Sequence, residues 1–249
     1  MASVLPERIL LVTDFDGTLA PIVPDPDAAR PLASSLAALR RLRRRLLGVV
    51  ILSGRDSRDL ARLLPLDGLR LRGDYGLGPP TPEEAAALDR FTDDASALVG
   101  RLPGTAVETK AGSVTLHYRG APELGPRLWE EARAIAEREG LRASQGRLVV
   151  EIMPARAGKA RALEDEIGAR GPGAVIFAGD DTGDRGCFEL LAGLSLPHLA
   201  VGVASPEAAP GLFDACDVVV DGPPAWAALL SRLAAWAAAP DPEDRGSES

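Results

Sequence analysis

Three short segments concentrate oxygen-bearing side chains: Asp14-Phe15-Asp16-Gly17-Thr18, Ser53-Gly54-Arg55 and Gly179-Asp180-Asp181-Thr182-Gly183-Asp184. A lysine, Lys159, follows Gly158 between the second and the third. Clustered carboxylates repel one another unless a cation offsets their charge. No His or Cys lies in these segments, so the ligands on offer are hard oxygens, which suit Mg²⁺ with a phosphate group in its shell. A carboxylate such as Asp14 could then attack phosphorus and become an aspartyl-phosphate. The charge on the moving phosphoryl group would be offset by the cation, by Lys159 and by the Ser53 hydroxyl. Asp16, two residues on, is spaced to protonate a leaving oxygen and then to activate water. Gly17 permits the tight turn this needs. Singly, each motif has an ordinary reading as a turn or a cap. Gly158-Lys159 is not a phosphate-binding P-loop, since no Gly stands five positions before Gly158 and Ala160 replaces the Ser/Thr. All four occur together and in order along the chain.

The elements that must position these residues are legible as alternating apolar runs and helical periodicities. Strands are expected at 9–13, 47–52, 69–71, 174–178, 199–203 and 217–220. Helices are expected at 32–45, 57–64, 159–167, 187–194 and 224–239. That order predicts a doubly wound, parallel α/β sheet. In such a sheet ligands bind at the carboxyl ends of the strands, where the motifs fall. Five arginines between Arg40 and Arg45 read as the solvated face of the first helix. The middle of the chain differs. Helices are expected at 82–98 and 126–139, an alternating strand pair at 106–110 and 113–119 with a turn near Ala111-Gly112, and a strand at 147–153. The expected domains are therefore 1–79 with 157–249 as the catalytic core, and 80–156 as an inserted α+β cap. The polar tail 240–249 reads as frayed.

Composition narrows the partners. The chain has 249 residues, 46% apolar and 26% charged, with a net charge of −8 and a pI near 4.9. An acidic chain lacks the basic surface that nucleic acid requires. No apolar run is long enough for a membrane span, and Met1–Glu7 lacks the pattern of a signal peptide, so a cytoplasmic protein is expected. Cys187 and Cys216 have no metal-like spacing and read as buried hydrophobes. A monomer is the expectation. Of 28 basic residues only Lys110 and Lys159 are lysines. A compact ammonium with three donors is not interchangeable with a planar guanidinium, so these two positions invite a reason.

Taken together, Asp14-Phe15-Asp16-Gly17-Thr18, Ser53, Lys159 and Gly179-Asp180-Asp181 resemble the four motifs of the haloacid dehalogenase-type phosphatases. Three longer matches extend the resemblance to the trehalose-6-phosphate phosphatase family: DFDGTLAPI from Asp14, VETKAGSVTLHYR from Val107, and GRLVVEIMP from Gly146. The resemblance implies a Mg²⁺-dependent phosphatase acting on trehalose 6-phosphate. In it Asp14 is the nucleophile, Asp16 the acid/base, and Ser53 and Lys159 hold the phosphoryl group. Mg²⁺ would bind Asp14, the backbone carbonyl of Asp16 and Asp180, with Asp181, or else Asp184, completing the set. Residues matching Glu108, Lys110, Arg119 and Glu151 would contact the sugar. Strand alternation puts Glu108 and Lys110 on one face, and His117 and Arg119 likewise. His117 reads as structural.

Departures from the family pattern occur at Met153, where Arg is usual, at Ala157-Gly158, where Asn is usual before the lysine, and in the late acidic motif. A phosphatase for sucrose phosphate or for a glucosyl- or mannosylglycerate phosphate, a phosphotransferring mutase, and a non-catalytic sugar-phosphate sensor are the other readings.

Overall fold

The computed structural model describes residues 4–77, 80–110, 112–146 and 148–239. Two compact units make up the chain: Asp74–Ala162, and the segments on either side of it. The domain boundaries expected from the sequence lie at 79/80 and 156/157. The inserted unit also takes in residues 74–77 and the first turn of the helix that begins at Lys159.

The outer segments build a six-stranded parallel sheet. Its strands are β1 (Ile9–Thr13), β2 (Gly48–Leu52), β3 (Arg70–Arg72), β8 (Ala174–Gly179), β9 (His198–Ala204) and β10 (Val218–Asp221). They lie in the order β10-β9-β8-β1-β2-β3. β1 therefore sits in the middle, with Leu11 opposite Val49 on one side and Ile176 on the other. All five residues of β1 are buried, as are those of β8, so these strands read as continuous apolar runs rather than alternating ones. From β1 the chain winds outward through β2 and β3, and from β8 it winds the other way through β9 and β10. The switch lies between β1 and β8, where the strand order predicts a binding crevice. The helices of this unit are α1 (Ala33–Leu42), α2 (Ser57–Leu63), α5 (Lys159–Arg170, entered from the inserted unit), α6 (Arg185–Ala192) and α7 (Gly222–Trp236).

The inserted unit pairs an antiparallel sheet with two helices. Its elements are α3 (Pro82–Val99), β4 (Ala106–Thr109), β5 (Val114–His117), α4 (Gly125–Arg138), β6 (Leu141–Gly146) and β7 (Val149–Pro154), and the sheet order is β4-β5-β7-β6. One sheet face supplies Val114, Leu116, Val150 and Ile152 to a core with Phe91, Leu98 and Leu128. α3 starts on a capping box in which Thr81 and Glu84 satisfy each other's backbone amides.

The α/β class and the interrupted order match the expectation from sequence. Several bounds move. α1 ends at Leu42 rather than residue 45, and the backbone turns through Arg43–Arg45 to let β2 begin at Gly48; Leu46 is buried from that turn. Arg40, Arg41, Arg44 and Arg45 face solvent, as expected. β6 is an element the sequence reading lacks. Its Arg-Ala-Ser-Gln-Gly run has no β-branched or aromatic residue, so it becomes a strand through its pairing with β7 and not through propensity. The expected tail 240–249, residue Ala111 of the expected turn, Arg147 of the expected strand and Pro79 at the expected domain boundary lie outside the described residues. Lys110 N donates to Ser113 O at 2.8 Å beside that turn.

An ion cluster fastens the β3 edge. Glu166 of α5 is buried and accepts from Arg70 at 2.6 Å and from its own helix's Arg170 at 3.0 Å, with Arg72 at 3.6 Å. The arginines are partly exposed, which weakens each pair. Glu166→Ala, which strands three guanidinium groups, should lower unfolding free energy by about 2 kcal/mol, read by urea titration. Glu166→Gln should cost less.

Candidate active site

β1 stops at Thr13, so Asp14 is the first residue beyond the carboxyl end of the central strand. Its backbone is fixed from two directions. Asp14 N donates to Ala178 O of β8 at 2.8 Å. The Thr13 hydroxyl donates to Asp14 O at 3.1 Å and accepts from the indole N–H of Trp226, on α7, at 3.2 Å. Asp14 is buried, and an ionised buried carboxylate is costly unless compensated.

The compensation expected is a cation, and the donors converge for one. Asp14, Asp180 and Asp184 each bring a carboxylate oxygen within 4.8 Å of the others. Asp180 is carried by the loop after β8 and accepts from the Thr18 hydroxyl at 3.2 Å. Gly17, at φ 70°, lies so close that a Cβ there would come within 1.8 Å of Asp180 Oδ2. Both the left-handed backbone and the approach require glycine. Asp184 is fully buried, and its Oδ2 accepts from the amides of Asp180 and Asp181 at 3.0 and 3.1 Å. Three carboxylates at this spacing, with no His or Cys among them, fit a hard divalent cation.

Two of the expected metal residues sit differently. The Asp181 carboxylate does not join this cluster. Its Oδ1 accepts from Gly183 N at 2.9 Å, a turn interaction, and Asp184 stands with Asp14 and Asp180 instead. Sequence spacing could not separate the two, because the choice depends on how the loop folds back onto its own amides. The Asp16 side chain also stays out of the cluster. Both its oxygens face Arg55, which donates through Nε at 2.6 Å and through an Nη at 2.7 Å. The resemblance assigns only the Asp16 backbone carbonyl to the metal, which this arrangement leaves available to the reading.

Arg55, in the Ser53-Gly54-Arg55 motif, is the partner of Asp16 that the sequence reading did not single out. Its guanidinium lies 5.4 Å from the ring centre of the buried Phe15, and the hydrogen bonds to Asp16 hold it above its ordinary pKa. Arg55 N donates to the Ser53 hydroxyl at 3.2 Å, and buried Ser53 is tied to β3 through its amide to Arg72 O at 3.0 Å.

Lys159, the first residue of α5, is buried, and an ammonium in that setting calls for a counter-charge. The preceding Gly158 has φ 142°, and a Cβ on it would meet a guanidinium nitrogen of Arg142 at 2.6 Å. That nitrogen donates to Ala157 O at 3.0 Å, so Arg142 of β6, the cross-strand partner of Met153, braces the approach to Lys159.

The inserted sheet places Glu108, Thr115, Glu151 and Ser144 in one cross-strand row on the face opposite its core. Glu108 pairs with His117 at 2.8 Å. Glu151 accepts a hydrogen bond from the Tyr75 hydroxyl. The Thr115 hydroxyl is buried without a hydrogen-bond partner. Lys110 and Arg119 are exposed, and Arg119 lies beyond the end of β5. Tyr75, missed in the sequence, belongs to a turn in which Asp74, Tyr75 and Gly76 have φ of 51°, 55° and 79°. Left-handed backbone at the two non-glycine positions costs about 1 kcal/mol or more each; the flanking Gly73, Asp74 and Gly76 mark a turn, but not the tyrosine's part in it.

A family model described as trehalose-phosphatase matches residues 12–207. The chain belongs to the trehalose-phosphatase family. A trehalose-phosphate phosphatase of Mycobacterium avium (strain 104) is 36% identical over 200 residues, covering 72% of this chain and 50% of that protein. The chain thus spans about half the length of the curated relatives it matches. Among solved structures, the C-terminal domain of C. albicans trehalose-6-phosphate phosphatase aligns over 92% of each chain with a TM-score of 0.72 and 22% identity. A haloacid dehalogenase-like hydrolase from Bacteroides thetaiotaomicron aligns over 90% of this chain and 98% of that one, with a TM-score of 0.64 and 15% identity. The two structures establish the fold.

Within this trehalose-phosphatase family chain, Arg55 sets the plane of the Asp16 carboxylate. If the site turns over a phosphomonoester, Arg55→Ala should reduce kcat by about 10- to 100-fold with little change in KM. Arg55→Lys should recover little, because an ammonium cannot reproduce the two-pronged contact. Steady-state kinetics on the three proteins would show it; an unchanged kcat in Arg55→Ala would remove Arg55 from the site.

Proposed function

We propose that this chain is a Mg²⁺-dependent phosphatase that hydrolyses trehalose 6-phosphate to trehalose and phosphate. The observation that carries the reading is the convergence of Asp14, Asp180 and Asp184 at the carboxyl ends of β1 and β8, in a chain of the trehalose-phosphatase family. Asp14 lies at the end of the central strand with its backbone fixed, as a nucleophile must be. Asp16 lies two residues after Asp14 and is oriented through both carboxylate oxygens by Arg55; it takes up the proton it transfers when one of those contacts opens.

In the proposed sequence an Asp14 oxygen attacks phosphorus and the bond to the sugar oxygen breaks. Asp16 gives its proton to that leaving oxygen, freeing the sugar. The aspartyl-phosphate is then hydrolysed by a water that surrenders a proton to Asp16, which regenerates both carboxyl groups. Mg²⁺ held by Asp14, Asp180, Asp184 and the Asp16 carbonyl would offset the carboxylate charge and that of the phosphoryl group. Ser53 and the buried ammonium of Lys159 serve the phosphoryl oxygens. In the inserted unit Glu108, Lys110, Arg119 and Glu151 are assigned to the sugar hydroxyls. The net charge of −8 argues against a nucleic-acid substrate. Among the described residues no helix is long and apolar enough to cross a membrane. We infer a cytoplasmic enzyme, monomeric, acting on a free sugar phosphate.

Phosphate release should be measured across a panel of sugar phosphates with Mg²⁺ and with EDTA. Trehalose 6-phosphate should be preferred, and EDTA should abolish turnover. Equal rates on glucose 6-phosphate would overturn the sugar assignment while leaving a phosphatase. Asp14→Asn should lose at least about 10³-fold in kcat; near-normal turnover would sink the mechanism. Lys159→Arg should lose about 10- to 100-fold, since the longer planar guanidinium misplaces its donors by an ångström or more. A surface Arg→Lys change such as Arg58→Lys should have no effect.

A further inference from the structure

The face of the inserted sheet that bears Glu108, Thr115, Glu151 and Ser144 is a row of hydrogen-bonding side chains on adjacent strands. Such a row suits a polyol, whose hydroxyls both donate and accept. Its selectivity depends on how firmly each carboxylate is oriented, because a freely rotating carboxylate accepts from many ligands with little discrimination. Two carboxylates in the row have partners that restrict them. Glu108 meets the ring of His117 across the β4–β5 pair. Glu151, half-buried on β7, meets the phenolic hydroxyl of Tyr75, which comes from outside the sheet.

The Tyr75 contact is the less ordinary of the two. The residue lies three positions past β3, at the start of the inserted unit, in the left-handed turn that Leu77 N closes onto Asp74 O at 2.9 Å. A bulky aromatic residue is disfavoured in that conformation, and the surrounding structure must hold it there. The turn delivers the phenol to Glu151 Oε2, and a neutral donor to a carboxylate is a charge-assisted bond with a set direction. In the same row, between Glu108 and Glu151, the buried Thr115 hydroxyl lacks a hydrogen-bond partner.

We propose that Tyr75 is a positioning residue for substrate selection: it fixes the Glu151 carboxylate in the one orientation that accepts from a sugar hydroxyl. This rests on the sugar-phosphate reading given above. Tyr75 touches neither phosphorus nor the leaving oxygen in this scheme. Its loss should therefore register in sugar binding and not in phosphoryl transfer.

The test compares wild type, Tyr75→Phe, Glu151→Gln and the double variant, on trehalose 6-phosphate and on p-nitrophenyl phosphate, which has no sugar. Tyr75→Phe keeps the ring and removes only the donor. It should raise KM for the sugar phosphate by about tenfold, with kcat and the midpoint of thermal unfolding unchanged. Turnover of p-nitrophenyl phosphate should stay within about twofold of wild type, since no sugar hydroxyl is involved. The double variant should be no worse than Glu151→Gln alone, as expected when one residue acts through the other. An unchanged KM in Tyr75→Phe, a full additive loss in the double variant, or a matching loss on p-nitrophenyl phosphate with a lowered unfolding midpoint would each overturn the proposal. Wild type that hydrolyses p-nitrophenyl phosphate but no sugar phosphate would bring down the parent reading, and this one with it. Active wild type with a silent Tyr75→Phe would bring down this one alone.

Discussion

Electrostatic repulsion at the carboxyl ends of β1 and β8 governs this structure. Asp14, Asp180 and Asp184 converge within 4.8 Å, and two of the three are among the buried residues. Much of the local architecture offsets that charge. Two loop amides point at Asp184, the Thr18 hydroxyl at Asp180, and a two-pronged guanidinium removes the fourth carboxylate, Asp16, from the crowd. The three carboxylates still concentrate a negative field at the switch point of a parallel sheet. Such a field is destabilising to the bare fold and favourable to a divalent cation, so stability is given up at the place where binding regains it.

The parts of the fold that were legible in the sequence share one property: their signal is local. β1 and β8 are buried on both faces and appear as unbroken apolar runs, and the acidic motifs directly follow them. Alternation at Val114, Leu116 and Tyr118 correctly marked the inward side of β5. β6 was illegible because Arg-Ala-Ser-Gln-Gly is a strand only in the company of β7. The early end of α1 was hidden because leucine spacing continues past Leu42 into a turn that also buries Leu46.

The candidate site divides along the same line. Asp14 and Asp180 were readable as the residues that follow strands. The assignment of Asp184 over Asp181 to the cluster was not, since it depends on a loop whose amides wrap the Asp184 carboxylate. Arg55 and Tyr75 were invisible as partners because they act across 39 and 76 residues of sequence respectively. The scarcity of lysine was informative in a different way: one of the two lysines is buried at a helix start, and the other is exposed beside the turn that leaves β4.

The hydrogen bond from Trp226 to Thr13 has a consequence for the order in which the molecule is made. The carbonyl of Asp14 is oriented by a hydroxyl that is itself oriented by α7. The two ends of this relay are separated by 213 residues, among the longest loops the chain closes. A nascent chain emerging from the ribosome can pair β1 with β2 early, yet the tryptophan that sets the strand's last peptide arrives only after β8, β9 and β10 have been synthesised. The last peptide of β1 therefore gains this hydrogen-bond relay only once α7 has packed against the sheet.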